Sequence, residues 1–223
     1  MRTAEKKAPP VRKRREQQRA LETRDTILRA ALAEFADKGY DGASIRAIAD
    51  RTELQHQLIT YHFKTKEILW KAVAGHVFER IRTLWDERAP EGSNMTPIGR
   101  VREQYRTVFN VSLEFADFHH FMLRESRLGS PRMPWLAEKF LKPLMARLLT
   151  QIAAAQAEGD LPPGDPVLLH YMLIGMTTAL SSLGGDMAAT SGRSPENPAV
   201  VANYWTLLEV VLLNKNLAHE KSN

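Results

Sequence analysis

The sequence predicts an all-α protein: an N-terminal three-helix helix-turn-helix domain followed by a C-terminal helical bundle. Apolar residues recur at helical spacing in one segment after another, and clusters of Gly, Pro, Asn and Ser separate those segments at helix-like intervals. No stretch alternates with period two for long enough to form a strand. Residues 44–69, SIRAIADRTELQHQLITYHFKTKEIL, compress two short helices and a new helix start into the pattern that places a short helix in the DNA major groove.

Composition narrows the class. The 223 residues can bury a sizeable core and include no cysteine, which removes disulfides, thiolate metal sites and cysteine nucleophiles and suits a reducing cytosol. No apolar run reaches bilayer-spanning length and the first twenty residues are charged where a signal peptide would be apolar, so a soluble, cytoplasmic protein without a membrane partner is expected. The net charge of +5 is uneven: residues 1–24 carry nine basic against three acidic side chains, leaving the remainder slightly negative. A basic arm of this kind binds polyanions or serves as a solvated tail.

The elements follow in order. Pro9 and Pro10 break any earlier helix, and residues 1–22 are expected as a basic, flexible arm including Arg12, Arg14 and Arg15; from Val11 it has strong helix formers but no apolar face, so a frayed helical extension is the alternative there. Residues 23–66 form the DNA-binding domain. From Thr23, the stripe Ile27, Ala31, Phe35 with Leu28 and Leu32 makes a first helix, stopped by Gly39 in a position suited to positive φ. Ser44 caps a second helix whose Ile45, Ile48 and Ala49 face inward. After a turn at 52–54, residues 55–62 make a third helix with Leu58 and Ile59 as its inward weight and Phe63 closing the small core. So short a helix must be held by packing. Thr65 caps a long fourth helix to about residue 87. Residues 67–218 then continue as a helical ligand-binding and dimerisation domain: helices near 97–114, 115–127, 135–158 and 165–183, a polar loop at 184–198, and a last helix near 198–217.

The outer side of the third helix carries Gln55, His56, Gln57, Thr60 and Tyr61. A glutamine amide pairs bidentately with adenine N6 and N7 and a histidine donates to guanine, so base contacts are expected from Gln55, His56 and Gln57, each good pair discriminating by about 1–3 kcal/mol. Thr60 and Tyr61 reach a thymine methyl or a phosphate. The alternative, a plain solvated helix face, is a poor use of exposed Tyr and clustered Gln and His. Residues 25–66 hold six basic and six acidic side chains, so the arm must supply much of the attraction to DNA.

The N-terminal 65 or so residues resemble the TetR family of bacterial transcriptional regulators. The likeness rests on Gly39 after the first helix, Ser44, the tetrad Thr60-Tyr61-His62-Phe63 and then Lys64, Thr65-Lys66-Glu67. Two departures are Glu53, where the family often has Gly, and Gln57, where it often has a small residue or Pro. The resemblance implies phosphate contacts from Tyr61, His62 and Lys66, with Ser44 doing the same across the groove. Beyond residue 90 it is one of architecture, and implies a small-molecule effector pocket in the C-terminal domain.

Candidates for that pocket are Trp85, Tyr105, Phe109, Phe118, His119, Phe121, Met122, Trp135, Met172 and Met176, against the alternative of an ordinary core. His119 and His120 lie about 100° apart on a helix and do not share one ion in the usual i, i+4 manner, so no metal is expected. No nucleophile elbow, paired-carboxylate spacing or glycine-rich phosphate loop appears, so neither enzyme chemistry nor a cofactor is expected. The last helix is apolar almost all round and must be covered on both sides. A twofold four-helix dimer interface from Leu168, Tyr171, Gly175, Ala179, Tyr204, Trp205, Leu208 and Leu212 supplies the second cover, the alternative being full burial in one chain. A homodimer of this kind implies a palindromic operator in double-stranded DNA. The expected function is therefore a sequence-specific regulator, a repressor released by a small apolar or amphipathic effector. The competing expectation is a constitutive DNA-binding protein whose C-terminal domain only dimerises.

Overall fold

The computed structural model describes residues 11–127 and 129–212, with side chains described from 15 to 211. The chain divides into two compact units, residues 1–73 and 74–223, and the division falls within one long helix.

The first unit contains α1 (Val11–Gly42), α2 (Ile45–Thr52), α3 (His56–His62) and the start of α4 (Lys66–Arg88). α1 is longer than the sequence indicates: its helix begins at Val11, so residues 11–22, expected as a flexible arm, are helical. Without a packed apolar stripe, this extension rests on the helix propensity of its Arg, Lys, Gln, Glu and Ala residues, and residues 15–22 are exposed. Gly39, at φ 73, interrupts α1, and the chain turns there. Ser44 caps α2 by accepting from the Ala47 amide at 3.0 Å. Glu53 ends α2 in the left-handed conformation, φ 55. Thr65 Oγ1 accepts from the Ile68 amide and so caps α4. Ile27, Ala31, Phe35, Ile48, Ile59, Phe63, Leu69 and Trp70 are buried and form the unit's core.

The second unit holds the rest of α4, then α5 (Pro97–Glu114), α6 (Ala116–Glu125), α7 (Met133–Leu136), α8 (Lys142–Ala157), α9 (Pro166–Ser182), α10 (Gly184–Ser191) and α11 (Pro198–Leu212). α5 is central and packs on α8 and α9. Where the sequence indicates one helix over 135–158, a π-helical turn, Ala137–Leu141, joins α7 to α8. Pro143 lies in the first turn of α8, where its missing N–H is tolerated only at a break in the hydrogen-bond ladder. Part of the polar loop expected at 184–198 is instead α10, packed on α9. Gly184 permits that corner, because a Cβ there would meet the Pro195 ring at 2.7 Å.

Buried polar groups tie the loops down. Arg100 donates to the carbonyls of Ala89, Pro90 and Ser93 and so fixes the α4–α5 loop. Glu125, buried on α6, accepts from Ser130 and Arg132 and fixes the approach to α7.

Candidate nucleic-acid interface and effector region

The surface predicted to read DNA assembles on α3. Gln55, His56, Gln57 and Thr60 are exposed and Tyr61 is 80% exposed, an unusual position for a large aromatic ring unless a partner covers it. Behind them Ile59 and Phe63 are buried, so the seven-residue helix is held from its apolar side. The Arg24 guanidinium stacks 4.9 Å from the Phe63 ring centre, which adds the arm end of α1 to that support. His62 is half-buried, its ring edge-on to Tyr61 at 5.5 Å. The hydroxyl of Ser44 is exposed at the start of α2 while serving as its cap.

Lys66 departs from expectation. Its ammonium donates to the carbonyls of Ala43 at 3.1 Å and Asp41 at 3.4 Å and lies 4.7 Å over the Tyr40 ring. It is a clamp between the start of α4 and the α1–α2 corner, with its charge turned to the protein. Two exposed cations flank the same surface instead, Arg46 on α2 and Lys64 beside the tetrad. Sequence reasoning assigns neither to DNA, although Lys64 follows the tetrad directly. The side chains of Arg12 and Arg14 lie outside the described residues, and Arg15 is exposed.

The ten residues expected to line one pocket are engaged in several different contacts. Trp85 packs on α5 and donates from Nε1 to the Gln104 carbonyl at 2.9 Å. Tyr105 pairs with His170, hydroxyl to Nδ1, at 2.8 Å in the interior. Phe109 stacks on Tyr204 and contacts Trp205. Phe118, Phe121 and Trp135 belong to an aromatic cluster around Phe78 and Phe140. Met122 and His119 are half-buried on α6, and Met176 is half-buried with its carbonyl bonded to the Tyr204 hydroxyl. Met172 is 57% exposed and faces solvent from α9, so it lines no interior pocket. A cleft of about 580 Å³ opens between α5 and α11, bordered by Arg106, Phe109, Pro195, Val201 and Trp205. Burial holds the His170 imidazole below its usual pKa and pushes the Tyr105 phenol well above its own, so both are neutral near pH 7. His119 is likewise lowered by burial and, to a smaller extent, by His120.

The expected subunit-interface residues also divide. Leu168 and Tyr171 are exposed, as is Gly175, and Ala179 is half-buried. Trp205 and Leu208 are 5% and 3% exposed and pack within their own chain, which corrects their assignment to a subunit interface. The outer stripe of α11 is Leu207, Val210 and Val211. The helix is apolar on both sides, as its sequence indicates, but the inner and outer sides are exchanged at these positions. The side chain of Leu212 lies outside the described residues.

Among the described residues, no group of three His, Asp or Glu side chains could hold a metal ion, and no single helix is long and apolar enough to cross a membrane.

A buttressed three-helix head with an exposed polar third helix, followed by an all-helical bundle, defines a helix-turn-helix DNA-binding regulator. Residues 27–73, the helix-turn-helix part of the chain, match the family model described as bacterial regulatory proteins, tetR family. Among its relatives, the transcriptional regulator RutR of Escherichia coli K12 is 25% identical over 171 residues, covering 75% of this chain and 78% of RutR. The Mycobacterium tuberculosis transcriptional repressor Rv3405c is 41% identical over 64 residues, 29% of this chain and 34% of that one. Of solved structures, AibR in complex with isovaleryl coenzyme A and operator DNA superposes with a TM-score of 0.67 at 17% identity, covering 85% of this chain and 97% of AibR. SCO3833 of Streptomyces coelicolor A3, a TetR-family member, gives 0.62 at 21% identity over 82% of this chain and 88% of its own. At these identities the two structures speak for the fold.

Proposed function

We propose that this regulator is a homodimeric repressor that occludes a palindromic operator until a small molecule binds its C-terminal unit. The observation that carries the DNA reading is the α3 face: Gln55, His56, Gln57, Thr60 and Tyr61 exposed together over a buried Ile59 and Phe63. Base contacts fall to Gln55, His56 and Gln57. Phosphate contacts fall to Ser44, Tyr61 and His62, and Lys64 and Arg46 take the place that the family resemblance gives to Lys66.

Three spans carry the roles: an arm at 1–22, the reading head at 23–66, and the ligand-binding and dimerisation part at 67–218. Because residues 11–22 are helical, they do not enter a minor groove about 6 Å wide, and lie along phosphates instead. Dimerisation is supported by one apolar surface on α9 and α11, made of Leu168, Tyr171, Met172, Leu207, Val210 and Val211, all exposed in the single chain. A small-molecule partner beside DNA is supported by AibR, whose structure holds both isovaleryl coenzyme A and operator DNA. α4 belongs to both units, so a ligand that displaces its C-terminal half acts on the start of the same helix, and a coupling of about 1–3 kcal/mol suffices.

The alternative of a constitutive binder draws on one observation, the near-complete burial of Trp85, Tyr105, Phe109 and Phe121 in what is then only a core. Selection of bound DNA from a random pool tests the main reading. A palindrome with half-sites about one helical turn apart, or a multiple of that, is expected, and recovery of sequences without symmetry would reject the dimeric operator model.

A further inference from the structure

In the second unit, nearly every buried polar side chain has a clear use. Arg100 holds three loop carbonyls and Glu125 holds Ser130 and Arg132. Thr107 bonds the Glu103 carbonyl, Ser112 bonds those of Phe109 and Thr177, and Thr177 bonds that of Leu173. His170 meets Tyr105. Gln104 is different. It is 0% exposed, and among the described residues neither its Nε2 nor its Oε1 has a hydrogen-bond partner. A desolvated donor and acceptor, both unmet, are strongly unfavourable, and a Leu or Met of similar volume would fill the same space without that cost.

We propose that Gln104 is the polar anchor of the effector site, and that the effector is a neutral molecule with a hydrogen-bond acceptor and donor side by side, as in a carboxamide, lactam or imide. This rests on the ligand-release reading above. A primary carboxamide offers one acceptor and two donors, and its complement is another group of the same kind. Charge around the site argues against an anion. The guanidinium of Arg147, 5.7 Å from the centre of the Trp85 ring, is taken by Asp86 and the Ala89 carbonyl, and on the helix of Gln104 itself Arg100 is held by its loop carbonyls and Arg102 is ion-paired with Glu209 at 3.5 Å. A carboxylate seated at Gln104 would be buried without a counter-charge. The position also suits a switch, because the main-chain carbonyl of Gln104 carries the indole of Trp85 on α4. A ligand bonded to this residue therefore abuts the helix that leads back to the reading head.

The test uses the full-length protein and Gln104→Leu, with thermal unfolding and operator-binding anisotropy measured in benzamide, benzoate and ethylbenzene. Without ligand, Gln104→Leu is expected to unfold at a higher temperature than the wild type, since an unmet polar group is removed. Benzamide is expected to raise the wild-type Tm and to bind the variant at least about tenfold more weakly. Benzoate should shift neither protein, and ethylbenzene should act on both alike. Gln104→Met serves in the same way if the leucine variant does not fold. A lower Tm for both unliganded variants would show the carboxamide already engaged inside the protein and overturn the proposal, as would a benzamide shift that survives the substitution. Operator release by ethylbenzene equally from wild type and variant, with no added effect of benzamide, would leave the ligand-release reading standing and remove Gln104 from it. A Gln104-dependent benzamide shift without operator release would support the site and reject release.

Discussion

Arg51 on α2 places its Nε 3.0 Å from Oε2 of Glu34, whose carboxylate is buried on α1. The pair joins the first two helices of the reading head, and Arg51 also reaches Asp37 at 3.5 Å. Removing Arg51 leaves Glu34 charged in a place with little water. Arg51→Met should destabilise the protein by about 2 kcal/mol, between the values for an exposed and a fully buried pair because the arginine is half exposed. Urea unfolding measures it. Adding Glu34→Gln to Arg51→Met should recover part of the loss, and a double variant no more stable than the single one would show that the stranded charge is not the cause.

Glu53 is the only non-glycine residue with positive φ among the described residues, at φ 55, and it sits in the turn between α2 and α3. An L-residue with Cβ pays about 1–2 kcal/mol for that conformation, and glycine gives back about half of this through the extra freedom of its unfolded chain. Glu53→Gly should therefore stabilise the protein by about 0.5–1 kcal/mol. It also removes a negative charge beside the DNA-facing helix. The checks are a higher Tm and tighter operator binding at low salt, and a lower Tm would mean that the glutamate makes a compensating interaction.

A residue's role is legible in the sequence when its neighbours along the chain set it. The α3 face is legible because Gln57 and Tyr61 fall opposite Ile59 by helical period alone, whereas Gln55 lies a turn before Ile59 and is exposed as the residue that caps the helix start. The αL position of Glu53 is foreshadowed by the glycine that the family often carries there. Lys66 escapes such reasoning because its partners, the carbonyls of Asp41 and Ala43, lie more than twenty residues away and carry no side-chain signature. The sides of α11 are exchanged because period alone does not say which of two apolar stripes meets the chain's own core: Trp205 contacts Phe109, while Leu207 faces outward. Pocket and core are not told apart by the sequence, since aromatic clusters at helical spacing look alike whether they converge on a ligand or on one another.

His170 is held below its ordinary value of 6.5 by burial beside Tyr105. The unfolded chain then takes up a proton more readily than the folded one as the pH falls. The stability linked to this group is thus fully present above about pH 6.5 and is lost as the pH falls toward the lowered folded value. His119, also lowered, contributes in the same direction. Urea midpoints at about pH 8 and about pH 5 should show a drop that shrinks in His170→Gln, whose amide supplies both a donor and an acceptor to the Tyr105 hydroxyl, and shrinks further when His119→Gln is added. An undiminished drop in the double variant would place the acid sensitivity in the carboxylates.

Lys64 and Lys66 are two residues apart and should respond in opposite ways. Lys64 is exposed, so Lys64→Gln should leave unfolding unchanged and reduce the salt dependence of operator binding by about 0.9 for each phosphate that the lysine neutralises. Lys66→Met should lower the Tm, because two carbonyls and the Tyr40 ring are left without their cation, while the salt slope of the folded protein changes little. Fluorescence anisotropy over a salt series separates the two, and a steep fall of slope in Lys66→Met would restore the phosphate contact that the family resemblance implies for it.

The helical extension of α1 supplies the final prediction. With residues 25–66 balanced in charge, the long-range attraction to DNA is expected to fall on residues 1–24, which carry nine of the basic side chains. Arg12, Arg15 and Arg19 are spaced at i, i+3 and i+7, the spacing of residues along one side of a helix. Replacing these three by glutamine keeps the helix propensity close to its original value, so stability should not move. Operator affinity should fall, and the slope of log K against log salt should flatten by about 0.9 for each phosphate no longer neutralised, while the order of preference among operator variants stays the same. A helix-breaking Ala20→Pro tests the geometry separately from the charge, because it leaves every arginine in place and should weaken binding if the side chains must be presented from one face. Unchanged binding in the proline variant, together with a flattened slope in the triple glutamine variant, would mean that the charges act from a flexible arm.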